Sequence, residues 1–209
     1  MKRKVGIVFT LVGVMCLVVA VTLFCYNRLE EHRAAVVSNQ TLAKITDHIR
    51  LWEGMDDNSD DSSDSNDKFP DTVVDEPEDL PQVMIDSNAY VGYVSLPTLG
   101  LELPILADTD QSLLQIAPCR FTGSVKGNNL VIGAHNYQSH FGRLTEVSFG
   151  DKVMFTDMHG NSTVYTVVSI EILDPYAVSE LTAGEYPLTL YTCTYGGASR
   201  VTVRLDYQK

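Results

Sequence analysis

Hydrophobic positions along the chain fall into three regimes. In the first they are continuous: "VGIVFTLVGVMCLVVAVTLFC", residues 5–25, carries no charged side chain over 21 positions. As a helix it would be about 31 Å long, against a bilayer hydrocarbon core of about 30 Å, and it predicts a membrane span. In the second, residues 28–52, apolar side chains at Val37, Leu42, Ile45 and Ile49 recur at intervals that suit a short stalk helix. In the third, from Ser87 onward, short β-rich runs alternate with turn residues: "YVGYVSL", "LELPIL", "NLVIGA", "KVMFT", "STVYTVVSIEIL", "PLTLYTC" and "RVTVRL". Seven or eight short strands in roughly 120 residues predict an all-β sandwich or barrel. "DMHGNS", residues 157–162, is a hairpin signal in which Gly160 supplies a positive φ. Only residues 111–115 and 141–147 suggest helix in this region, both short, so no βαβ rhythm is present.

Between the second and third regimes the pattern stops. Residues 53–86 are rich in Asp, Ser and Pro and hold 13 acidic residues against Lys68 alone. Such a segment buries too little apolar surface to offset the entropy of ordering it and reads as a disordered spacer with a reach of about 30 Å. It also explains the formal net charge of −12, because the rest of the chain balances 14 acidic against 14 basic residues. No basic face for nucleic acid remains. The expected organisation is a cytoplasmic tail at 1–4, a transmembrane anchor at 5–26, a stalk at 27–52, the acidic spacer at 53–86 and a β-domain at 87–209. Lys2, Arg3 and Lys4 precede the span and, by the positive-inside rule, place the N-terminus in the cytoplasm and the β-domain outside. The run is too long for a cleaved signal peptide, and bulky Phe24 before Cys25 argues against a lipoprotein cleavage site.

Location changes the meaning of the cysteines. Cys16 and Cys25 lie in the span, Cys119 and Cys193 outside it, and no C-x-x-C pair or zinc-like spacing occurs. An exported thiol calls for a reason: Cys119 and Cys193 form a structural disulfide, or Cys193 is a nucleophile. A nucleophilic thiol needs a base and a donor for the oxyanion that forms at an attacked carbonyl. His135 follows the strand "LVI" across Gly133 and Ala134, with Gly133 expected to let the chain bend there. Arg200 starts the last strand. His140 and His159 are the alternative bases, the first five residues beyond His135 and the second in the hairpin turn. Taken singly, each reads more readily as a packed core residue or a surface charge. Their combination is what points to acyl transfer.

"TLYTC" at 189–193, Arg200 seven residues further on, and "VIGAHNY" about 60 residues upstream resemble the active-site signature of the sortases. The resemblance extends from "YVGYVSLPTLGLELPIL" through "FGRLTEVSFGDKVMF" to about Leu205. It implies an eight-stranded sortase-type β-barrel with short helices behind a transmembrane helix. It also implies a cysteine transpeptidase, a thiol peptidase chemistry found on Gram-positive cell surfaces. Cys193 would attack the Thr–Gly carbonyl of a signal similar to Leu-Pro-any-Thr-Gly, giving a thioester acyl-enzyme. His135 would protonate the departing amine, Arg200 would hold the substrate backbone and the oxyanion, and Thr192 would hydrogen-bond to substrate. The implied partners are surface proteins with C-terminal sorting signals and an amine acceptor, a peptidoglycan precursor or a pilin lysine. No cofactor, metal or calcium site is implied. "TYGGAS" and "HNYQSHFGRL" are similar to class B and clostridial class D sortases. Two alternatives stay open: a peptidase that only hydrolyses, and a binding module with the Cys119–Cys193 disulfide.

Overall fold

The computed structural model describes residues 2–56 and 80–208. The apolar run and the stalk are one unbroken helix, α1 (Lys2–Asp56). Its N-terminal part exposes Leu11, Leu17 and Phe24 along its sides. Among the described residues it is the one helix long and apolar enough to cross a membrane. The acidic segment lies mostly outside the described residues. Its end does not: β1 (Val83–Ile85) pairs with the start of β2, ahead of the domain boundary expected at Ser87.

The strands that follow are β2 (Asn88–Leu96), β3 (Leu101–Leu106), β4 (Cys119–Thr122), β5 (Leu130–Ala134), β6 (Lys152–Asp157), β7 (Ser162–Leu173), β8 (Leu188–Cys193) and β9 (Arg200–Tyr207). The sheet order is β1-β2-β3-β4-β5-β8-β9-β7-β6, and pairing of β2 with β6 closes it. The result is the expected eight-stranded barrel, β2 to β9, with β1 added as a short hairpin arm. Seven barrel strands coincide with the seven apolar runs. The eighth, β4, has no such signature, because "CRFT" is four residues long and follows Pro118. The expected short helices are 3-10 turns at Leu113–Gln115 and Leu144–Glu146. Two further helical turns are a 3-10 turn at Pro97–Leu99 between β2 and β3 and α2 (Val178–Leu181) in the connection from β7 to β8.

Alternate residues of the seven longer barrel strands fill the barrel, among them Val94, Ile105, Ile132, Phe155, Leu190 and Val203. A second apolar cluster lies between the barrel and the lower half of α1, where Ile45 and Ile49 pack with Tyr90, Leu106, Cys119 and Met158. Fully burying two isoleucines contributes about 1.5–3 kcal/mol each. The buried stripe of the helix is Ala34, Ser38, Thr41, Ile45 and Ile49, spaced three or four apart. Val37, expected on that face, is exposed instead. Trp52 stacks on His159 with ring centroids 4.5 Å apart, and Lys44 pairs with Asp86.

Candidate active site

Strand pairing brings the three candidate residues together. β5 and β8 run parallel, with Ala134 opposite Thr192 as the last pair, so His135 and Cys193 are the next residues on two neighbouring strands. β8 and β9 are antiparallel, with Cys193 opposite Arg200. Neighbouring strands lie about 4.8 Å apart. Base, thiol and guanidinium therefore occupy one end of three consecutive strands.

Side-chain parity decides which way they face. Leu188 and Leu190 point into the barrel with the other core residues, so Tyr191 and Cys193 face the other way; on β9, Val201 and Val203 point in while Arg200, Thr202 and Arg204 face out. Cys193 and Arg200 are half-buried on the outer face. Arg200 Nη1 donates to the carbonyl oxygens of Gly197 and Ser199, 3.3 Å each, holding the guanidinium against the β8–β9 turn. That turn passes through Gly196 and Gly197 with φ of 85° and 77°, a conformation that side chains with a Cβ rarely adopt.

Thr192 has the inward parity. It is buried, and its hydroxyl donates to the Ala134 carbonyl at 2.8 Å. It ties β5 to β8 directly beneath His135 and Cys193 and does not present a hydroxyl to substrate, contrary to its expected role. Gly133 also has a different task from the one expected. β5 runs through it without a bend, and a Cβ there would meet the Tyr191 ring at 2.5 Å. The glycine makes room for that ring to lie across β5.

Burial holds the His135 imidazole below its usual pKa, which favours the neutral ring. The Tyr137 ring lies 5.0 Å from it. His140, one of the alternative bases, is fully buried, and among the described residues neither ring nitrogen has a hydrogen-bond partner. Burial first and His135 second push it down to about 4, with Glu31 opposing. His159 is occupied by Trp52 in the β6–β7 turn, at the opposite end of the barrel. His135 alone among the three sits beside Cys193.

A cleft of about 130 Å³ opens next to Arg200 on the outer face, walled by Phe121, Tyr191, Val178 and Leu181. Phe121 meets Tyr191 edge-on at 5.7 Å. Burial pushes the Tyr191 phenol up to about 12, Arg200 working in the other direction. The α2 wall is fixed by Arg204, whose Nη1 and Nη2 donate to the carbonyls of Leu181 and Glu180 at 2.9 and 2.7 Å. Sequence reasoning missed Tyr191, Phe121 and Arg204. Their signal is the outward parity of β4, β8 and β9, readable only once register is known.

Cys119 is buried under α1, its thiol near the Ala117 carbonyl at 3.4 Å and pushed up to about 12 by burial. It is unpaired, as is Cys193. The Cys119–Cys193 disulfide is excluded by topology. β4 and β8 flank β5 on opposite sides, about 9.6 Å apart, whereas a disulfide needs Cα atoms within about 7 Å.

Residues 94–207, more than half the chain, match the Sortase domain family. The chain belongs to the sortase family. It is 28% identical over 129 residues to Sortase A of Bacillus anthracis, covering 57% of this chain and 60% of that protein. It thus spans less than two thirds of that relative's length. Among solved structures, Sortase A from Corynebacterium diphtheriae aligns with a TM-score of 0.53 at 24% identity, over 58% of this chain and 62% of that one. Sortase C1 from Streptococcus agalactiae aligns with a TM-score of 0.52 at 26% identity, over 60% and 71%. Names among these sortases divide between A and C, and no subclass is assigned.

Proposed function

We propose that this sortase is a membrane-anchored cysteine transpeptidase that cleaves a sorting signal similar to Leu-Pro-any-Thr-Gly and transfers the acyl part to an amine. The observation that carries this reading is the shared register of His135, Cys193 and Arg200 at one end of adjacent strands. In the first step the Cys193 thiolate adds to the Thr carbonyl carbon, and the oxyanion is held by the Arg200 guanidinium, a permanent cation with a fixed donor fork. Collapse breaks the Thr–Gly bond, with His135 giving its proton to the departing amine, and leaves a thioester on Cys193. An incoming amine loses a proton to His135, attacks the thioester and releases the thiolate.

Desolvation shapes the proton balance. A neutral His135 is favoured in its half-buried site, so the imidazolium forms chiefly when a thiolate beside it supplies the opposite charge. The outer cleft suits an extended peptide, with Phe121, Tyr191 and Leu181 as apolar walls and Arg200 at the reacting end. Membrane attachment through α1, a cytoplasmic N-terminus, a β-domain outside the cell and clients among surface proteins belong to the same reading.

The test uses the full chain in detergent with a sorting-signal peptide, with and without an amine acceptor, and products identified by mass spectrometry. Ligated product in wild type and its loss in Cys193→Ala support transpeptidation. Hydrolysed peptide alone, in the presence of amine, contradicts it.

A further inference from the structure

Four stations fix the path of α1 along the barrel. Residues 24–31 lie beside His135 and Tyr195, where a cleft of about 530 Å³ separates the helix from the loop after β5. Glu31 accepts a hydrogen bond from the Gln138 backbone N–H at 2.7 Å, fixing that contact. Leu42 lies by the β2–β3 turn, beside Pro97 and Leu101. Ile45 and Ile49 pack on Tyr90 and Leu106, and Trp52 stacks on His159 in the β6–β7 turn. The helix therefore descends the barrel wall from the end that carries His135 to the opposite end, and the apolar run projects beyond the His135 end.

We infer that the catalytic end of the barrel is held against the bilayer surface, with Tyr195 seated in the lipid headgroup layer. The inference rests on the reading of α1 as a membrane anchor. The uncharged run ends at Cys25, and the cleft reaches from Phe24 to Glu31. At about 1.5 Å per residue the cleft spans the first 9 Å or so past the hydrocarbon boundary, a depth that falls at the headgroups. Tyr26, Tyr137 and Tyr195 gather there, the residue type enriched at membrane interfaces. Tyr195, at the tip of the β8–β9 turn, is 99% exposed among the described residues. The nearby Arg28 and Arg33 are paired with Glu31 and Glu30, so the contact does not depend on anionic lipid. The partner of this surface is a neutral headgroup layer.

Trp52 is the chain's one tryptophan and lies 27 residues, about 40 Å, past the end of the apolar run. It is a built-in reference. The full chain would be placed in phosphatidylcholine vesicles carrying a nitroxide on a fraction of the headgroups. Fluorescence of wild type would be compared with that of Tyr195→Trp in a Trp52→Phe background, after flotation of the vesicles. Strong quenching of the tryptophan at 195, several-fold above that of Trp52, is expected. A chain that floats with the vesicles but shows equal, weak quenching at both positions overturns the orientation while leaving the anchor intact. A chain that does not float overturns the anchor and the orientation together.

Discussion

A buried hydroxyl at Thr192 joins the two strands whose ends carry His135 and Cys193. Thr192→Val keeps the shape but leaves the Ala134 carbonyl without its donor, at a cost of about 1–3 kcal/mol. Thermal unfolding should shift down, and turnover should fall through displacement of His135, with Thr192→Ser restoring both. Arg200→Lys should fold normally and lose most activity, because a single ammonium cannot reproduce the guanidinium fork. Peptide turnover near the wild-type rate would remove Arg200 from the mechanism. His140 gives the fold a pH dependence with a definite sign. Its folded pKa, about 4, lies below the unfolded value of roughly 6.5. The unfolded chain thus takes up the proton first, and stability is complete above about pH 6.5 and falls as pH drops toward 4. The loss approaches about 3 kcal/mol at full protonation. The urea midpoint of wild type should fall relative to that of His140→Phe as pH drops from about 7 to about 4.5, whichever of the two is higher at pH 7. A constant gap between them would contradict the assignment.

Between β7 and β8, four residues of α2 form one wall of the outer cleft, and the wall is held by one side chain. Arg204 donates to the carbonyls of Glu180 and Leu181 and to Thr189, and its guanidinium lies over the Tyr186 ring at 5.5 Å. Arg204→Met should free the wall and raise KM for the peptide more than it lowers kcat, since neither Cys193 nor His135 touches it. An equal fall in kcat with KM unchanged would place its effect elsewhere. Elements of this kind were not legible in the sequence. α2 is too short to show a period, and "CRFT" of β4 has no alternation to mark it. The seven longer strands were legible because their inward residues are large and apolar at every second position. On α1 the helix was legible and its docking face only in part, because the small polar Ser38 and Thr41 are buried while Val37, expected on that face, is exposed.

At the scale of the molecule, the apolar run, the stalk and the barrel are joined through α1, which runs unbroken from the apolar run to its packing on Tyr90 and Leu106. Ile45→Ala with Ile49→Ala should loosen this packing by several kcal/mol and raise proteolysis of α1 while the barrel persists. The individual members of the site could be picked out in the sequence because each stands at a strand end. Their convergence depends on the parallel pairing of β5 with β8, a contact between residues nearly 60 positions apart that no local pattern encodes. The Cys119–Cys193 bridge was an open alternative for the same reason: only the strand order shows that β5 lies between them. In the proposed reaction Cys193 is the acyl acceptor. Full-length protein incubated with a sorting-signal peptide, quenched in acid, digested and mapped by mass spectrometry should carry the acyl mass on Cys193 and on no other cysteine. Folded protein that cleaves the peptide with the acyl group on another residue, or that never acquires it, would contradict the account.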